Sequence, residues 1–212
     1  MMLPRRKLLA AGALATASLA LRSARSPTAR AQASPGDLLY EANWWAGWDG
    51  WPEGLGWQVF DGAYINDGSG SSYRLFAACP YVPADHGFDN YAVEAELRID
   101  TTALNSAVAL VARGHYFGSI YHGSRNQSGM FLSQGEASTN SRLSNTRYES
   151  VPVKSGEQHA FRLEARGNRF TFKLDGATVV QGTDNRYLSG GEVGLLCKEN
   201  QVSVSAFRVN AL

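Results

Sequence analysis

An all-β fold, an antiparallel two-sheet sandwich of about a dozen strands with almost no helix, is what the sequence predicts beyond residue 37. Three observations predict it. Apolar residues recur with period two, tight-turn pairs interrupt them at short intervals, and no segment sustains a helical period.

The elements follow in order. Residues 57–60 and 63–66 flank Asp61-Gly62, a pair that favours a two-residue hairpin. Residues 73–78 follow a Gly/Ser turn. Over Tyr91–Ile99, Val93, Ala95, Leu97 and Ile99 share one face and Glu94, Glu96 and Arg98 the other. Residues 106–113 and 116–122 make a hairpin around Gly114-His115, and 130–133 is a shorter strand. His159, Phe161, Leu163 and Ala165 alternate with polar neighbours before Gly167-Asn168 turns the chain into 169–174. Asp175-Gly176 turns it again into 177–181, and 193–198 and 202–209 complete the set. Residues 184–188 alone carry a helical-turn pattern. Strands with one polar face and many tight turns specify two packed sheets, and this number suits a jelly roll better than an immunoglobulin domain.

Residues 1–33 read as an export leader and 34–212 as a single domain. Arg5-Arg6-Lys7 precedes an apolar run over 8–21, and small residues, Ala31-Gln32-Ala33, stand at the expected cleavage position. That run is short of the roughly 20 residues a membrane span needs. Arg5-Arg6-Lys7-Leu8-Leu9 resembles the twin-arginine signal; an ordinary secretory signal holding two arginines is the alternative. The expected mature protein lies outside the cytoplasm. It carries 14 Lys and Arg against 19 Asp and Glu, a net charge of −5. A mildly acidic body argues against general binding to nucleic acid or anionic membrane. With 44% apolar and 18% charged residues, the chain is neither disordered nor a coiled coil.

Cys79 and Cys197 are even in number and bound for an oxidising compartment, so one disulfide is a candidate; two buried free thiols are the alternative. The sequence holds no CxxC, no HExxH and too few acids around Asn66-Asp67-Gly68 for a calcium loop. No cofactor is therefore expected, and calcium is unsupported.

The segments His159-Ala160-Phe161-Arg162-Leu163-Glu164-Ala165-Arg166-Gly167-Asn168, Leu174-Asp175-Gly176, Gly191-Glu192-Val193-Gly194-Leu195 and Phe207-Arg208-Val209 resemble the closing strands of the concanavalin A-like lectin/glucanase superfamily. Their order is similar to that of laminin-G-like modules and the 3-keto-disaccharide hydrolase domain. The resemblance implies a jelly roll over most of 38–212. It leaves the activity open among lectins, adhesion modules and glycosidases.

Candidate ligand contacts follow from a register argument. If 91–99 and 106–113 are antiparallel neighbours, Glu96 lies near Ala109. If Gly114-His115 is a two-residue turn, Arg113 lies opposite Tyr116 and Ala107 opposite His122. Glu94, Glu96, Arg98, Arg113, Tyr116 and His122 then line a trough suited to a polyhydroxylated ligand. A solvated sheet face with ordinary Glu–Arg pairs is the plainer reading. Glu94 and Glu96, roughly 6.7 Å apart along one strand, are the candidate catalytic carboxylates. The i, i+2, i+5 acid pattern of family-16 glucanases is broken here, because i+5 from Glu94 is Ile99. All five tryptophans fall between 44 and 57. The Gly/Asp/Pro loop from Trp44 to Trp51 either stacks its rings on sugar, with Trp48 and Trp51 the candidate contacts, or, in the arrangement we favour, plugs one end of the sandwich.

The expected role is an exported, non-catalytic module binding carbohydrate or another extracellular ligand. The alternatives are a glycoside or 3-keto-disaccharide hydrolase and a structural or adhesive surface module.

Overall fold

The structure is a computed structural model describing residues 33–54, 56–68, 75–100, 106–122, 128–136, 139–142, 149–150 and 153–212. For Leu75, 120–122 and the strands between 128 and 150 the backbone alone is described. All of these lie in one compact unit, Ala33–Leu212. The leader expected over 1–33 lies outside them, save its last residue.

The described strands, in chain order, are β1 (Leu38–Glu41), β2 (Trp57–Phe60), β3 (Ala63–Asp67), β4 (Leu75–Ala78), β5 (Tyr91–Ile99), β6 (Ala107–Ala112), β7 (Tyr116–His122) and β8 (Ser128–Glu136). There follow β9 (Thr139–Arg142), β10 (Glu149–Ser150), β11 (Gln158–Arg166), β12 (Arg169–Leu174), β13 (Ala177–Thr183), β14 (Gly194–Lys198) and β15 (Gln201–Ala211). Eight form one sheet, β13-β12-β11-β5-β15-β3-β2 with β1 also on β15. Seven form the other, β10-β8-β7-β6-β14-β4 with β9 on β8. The pairing is antiparallel, and the fold is a two-sheet all-β sandwich.

Period-two patterning accounts for the layers. Val93, Leu97, Phe161, Leu163, Phe172, Phe207 and Val209 point from the eight-stranded sheet into one core, and Val108, Leu110, Tyr116 and Leu195 meet them from the seven-stranded sheet. Ser205 is the extra residue of a bulge between Val204 and Ala206. The bulge resets the alternation of β15, so that Val202 and Val204 before it and Phe207, Val209 and Ala211 after it all point inward. The two Asp-Gly pairs turn as expected. Asp61 and Gly62 have φ of 50° and 72°, Asp175 and Gly176 49° and 80°, the left-handed values a type I′ hairpin needs.

Among the described residues helix is confined to two single 3₁₀ turns, Trp44–Ala46 and Pro83–His86. No helix of the described residues is long and apolar enough to cross a membrane. The helical turn expected over 184–188 does not form. The Asp184 carboxylate instead accepts the Arg186 backbone N–H at 2.8 Å and pairs with its guanidinium, a local bond that competes with helix.

One expected adjacency is corrected. β5 pairs with β11 and β15, not with β6, which lies in the opposite sheet between β7 and β14. The chain crosses between sheets after Ile99. The outward residues differ accordingly: Glu94, Glu96 and Arg98 on β5 are polar, whereas Ala109 and Val111 on β6 join Phe117 and Leu196 in a second apolar cluster.

Cys79 and Cys197 are buried free thiols. Cys197 is level with Leu75, four residues before Cys79, so the two lie about 13 Å apart along the sheet, beyond the reach of a disulfide. Burial pushes each thiol up to about 12.

Candidate functional site

The outer face of the eight-stranded sheet is built from the even-numbered residues of β5 and β11 and their cross-strand partners. Arg208, Glu94, Arg162 and Lys173 stand in one row across β15, β5, β11 and β12. The next row holds Asn210, Ala92, Glu164, Thr171 and Gln181. Opposite charges alternate along and between these rows. Arg162 donates to Glu94 and, at 2.7 Å, to Glu164, which also accepts Lys173 Nζ at 2.7 Å. Arg208 bridges Glu41 at 2.7 Å and Glu96 at 3.2 Å, while Asn210 donates to Glu94 at 3.1 Å.

Partial burial raises the Glu164 carboxyl, but hydrogen bonds from Lys173 and Arg162 outweigh it and hold the group below its ordinary value. Exposed ion pairs of this kind contribute about 0–1 kcal/mol each, so the ladder is not what holds the sheet together. Its consequence is a rigid surface dense in donors and acceptors. Two depressions open on it. One, of about 120 Å³, is lined by Glu94, Glu96, Arg162 and Arg208. The other, of about 300 Å³, lies over Glu164, Arg166, Arg169, Thr171, Lys173 and Gln181. There Arg169 donates to Gln181 at 2.6 Å, and the exposed Arg166 guanidinium makes no hydrogen bond among the described residues.

Glu94 and Glu96 therefore share a face, as their parity requires. Each accepts a hydrogen bond from an arginine, Glu94 from Arg162 and Glu96 from Arg208. Arg98 is on the same face, 2.5 Å from Asp100.

The other residues of the expected trough lie elsewhere. The β6–β7 hairpin closes at Ala112 opposite Tyr116, so its loop has three residues, Arg113-Gly114-His115, rather than two. That one-residue shift turns the Tyr116 side of β7 inward. Tyr116 is buried, its ring stacked 3.7 Å from Phe170. Arg113 is 1% exposed and spends its guanidinium on three carbonyls, Gly167 O at 2.7 Å, Asp89 O at 2.8 Å and Tyr187 O at 3.1 Å. The Tyr91 hydroxyl accepts its backbone N–H at 2.8 Å. His122 ends β7, and its side chain lies outside the described residues.

The tryptophan loop folds back on the sandwich. Trp51 is buried edge-on to Phe207 at 4.7 Å, donating to Tyr40 Oη at 2.9 Å. Trp48 is half-buried, edge-on to Tyr64 at 6.2 Å. Trp45 of the same loop is instead 78% exposed. Its neighbour Trp44 is buried, and adjacent residues of one 3₁₀ turn cannot both point into the same core; that is the signal that singles out Trp45. Among the described residues no group of three His, Cys, Asp or Glu is placed to hold a metal.

No family model and no curated protein matches the sequence. Solved structures do match the fold. The carbohydrate binding module CBM66 from Bacillus subtilis aligns with a TM-score of 0.62 at 17% identity, covering 76% of this chain and 96% of that one. A Bacillus subtilis protein of unknown function with a galectin-like fold aligns at 0.61 and 13% identity, covering 84% and 97%. A GH43 protein from Bacillus licheniformis aligns at 0.56 and 10% identity, covering 77% of this chain but only 37% of its own. The shared fold is the two-sheet antiparallel jelly roll. At these identities the likeness establishes the architecture and no activity.

Proposed function

We propose that this protein is an exported, non-catalytic carbohydrate-binding module whose ligand lies on the outer face of the eight-stranded sheet. The observation that carries this reading is the open depression over Glu164, Lys173, Thr178 and Gln181, where adjacent strands present charged and hydroxyl groups to solvent beside the exposed Arg166 guanidinium. Polyhydroxylated ligands are bound by such convergent donors and acceptors. The jelly roll it shares with a carbohydrate binding module agrees with this, and the basic-then-apolar leader agrees with export.

Affinity electrophoresis through gels containing xylan, laminarin, inulin, galactan or mucin tests the reading. At least one polymer is expected to retard the protein without releasing reducing sugar. Arg166→Ala and Gln181→Ala, both at exposed positions, should each weaken that retention about 10-fold, the loss of one hydrogen bond to the ligand. Retardation by none of them would contradict the proposal. Sugar release abolished by Glu96→Gln would replace it with a hydrolase, and stable association with envelope components indifferent to sugars with an adhesive role.

A further inference from the structure

We infer that the bound carbohydrate is a chain laid across the strands rather than a single terminal sugar, with Trp45 and Phe60 forming a second, stacking subsite. This rests on the carbohydrate-binding reading above and adds to it the shape of the ligand.

Trp45 and Phe60 are 78% and 68% exposed, the two most exposed large apolar side chains among the described residues. Trp45 belongs to the turn Trp44–Ala46, anchored by Trp44, whose buried ring stacks on Tyr64 at 5.5 Å and 22°. The Trp45 indole rests on Gly62: a Cβ at that glycine would fall 2.1 Å from the ring atom Cε2, so only glycine leaves room for it. Phe60 immediately precedes this Asp61-Gly62 turn and follows the outward parity of Gln58, opposite the inward Trp57. Two solvent-facing aromatic rings beside one turn, one of them seated on Gly62, suit the C–H face of a sugar ring.

The pair is continuous with the polar face. β2 is the edge strand of the same sheet, three strands from β5 in the order β5-β15-β3-β2. Three strand spacings, about 14 Å, separate Phe60 from the Glu96 column, and the depression over β11, β12 and β13 lies one to three strands further along the same face. Between them the face carries Ala63 and the bulged Ser205, small side chains that leave the path open. One monosaccharide cannot touch both ends of that path; a chain running perpendicular to the strands can.

Trp45→Ala, Phe60→Ala and Trp45→Phe, all at exposed positions, are compared with wild type in the same five gels and by calorimetry with the monosaccharide of the retaining polymer. Trp45→Ala and Phe60→Ala should each weaken polymer binding about 10-fold, as an aromatic hot spot does, with Trp45→Phe recovering most of the loss and monosaccharide binding unchanged. Unchanged polymer binding would overturn the inference while leaving the carbohydrate reading intact. Equal losses on polymer and monosaccharide would also overturn it, by placing Trp45 in a single-sugar site. A change in sedimentation with sugar binding unaffected would make the pair a self-association surface instead. Failure of every gel to retard wild type would remove both readings together.

Discussion

Arg113 closes a corner of the sandwich with its side chain turned inward. Its φ of 52° lies in the left-handed region, and its guanidinium sits 5.3 Å over the Phe170 ring, tying the β11–β12 turn, the loop before β5 and the loop after β13 to one point. Removing it leaves three carbonyl oxygens without their donor, at about 1–3 kcal/mol for each that water cannot reach. Arg113→Ala is therefore expected to lower unfolding stability by about 3 kcal/mol or more in urea melts, while the folded protein keeps its affinity for carbohydrate. A loss below about 1 kcal/mol would show that the carbonyls are resolvated. At the cysteines, a buried thiol raised to about 12 holds almost no thiolate at neutral pH. The melting temperature should not move on adding dithiothreitol, and native protein should resist thiol-modifying reagents; a fall on reduction would reveal a bridge.

Elements were legible wherever alternation was clean. Tyr91–Ile99 and the polar outward placement of Glu94, Glu96 and Arg98 follow directly from period two. Register and neighbour were not, because alternation fixes a face and leaves open which strand lies alongside. The three-residue loop Arg113-Gly114-His115 and the crossover after Ile99 each depend on tertiary contacts, the three carbonyls for one and the core between sheets for the other. The change from charged outward positions on β5 to alanine and valine on β6 was the one local sign that these strands face different surroundings. Packing between the sheets is equally specific. A Cβ on Gly118 of β7 would lie 2.6 Å from the Phe172 ring of β12. Gly118→Ala should cost about 1–3 kcal/mol through forced repacking, read from the thermal midpoint, and should leave secondary structure unchanged. A neutral result would mean that Phe172 swings aside freely.

For the whole molecule, alternation and turn chemistry made the two-sheet all-β fold legible, whereas the groove over Glu164 and Gln181 was not foreseen, because it needs the β11–β12–β13 register to bring its polar rows together. Its charges link stability to pH. Glu164, Asp175 and Asp184 are all held below their ordinary values, the first two against the opposing effect of burial, the last chiefly by hydrogen bonds from Arg186. In the acid range the unfolded chain binds more protons than the folded one, so their contribution is complete above about pH 5 and is lost as pH falls through the lowered folded values. Urea midpoints should be level from about pH 7 to 5 and drop below about pH 4; a rise on acidification would mean that the carboxylate pairs oppose folding.

Whether sugar occupies the outer face of the eight-stranded sheet is decided by nuclear magnetic resonance of isotope-labelled protein titrated with oligosaccharides cut from the retaining polymer. The expected amide shifts concentrate on β11, β12 and β13 around Glu164, Thr171 and Gln181, extending to β2 with longer chains. Shifts confined to β6, β7 and β14 of the opposite sheet, or none at saturating sugar, would contradict that placement.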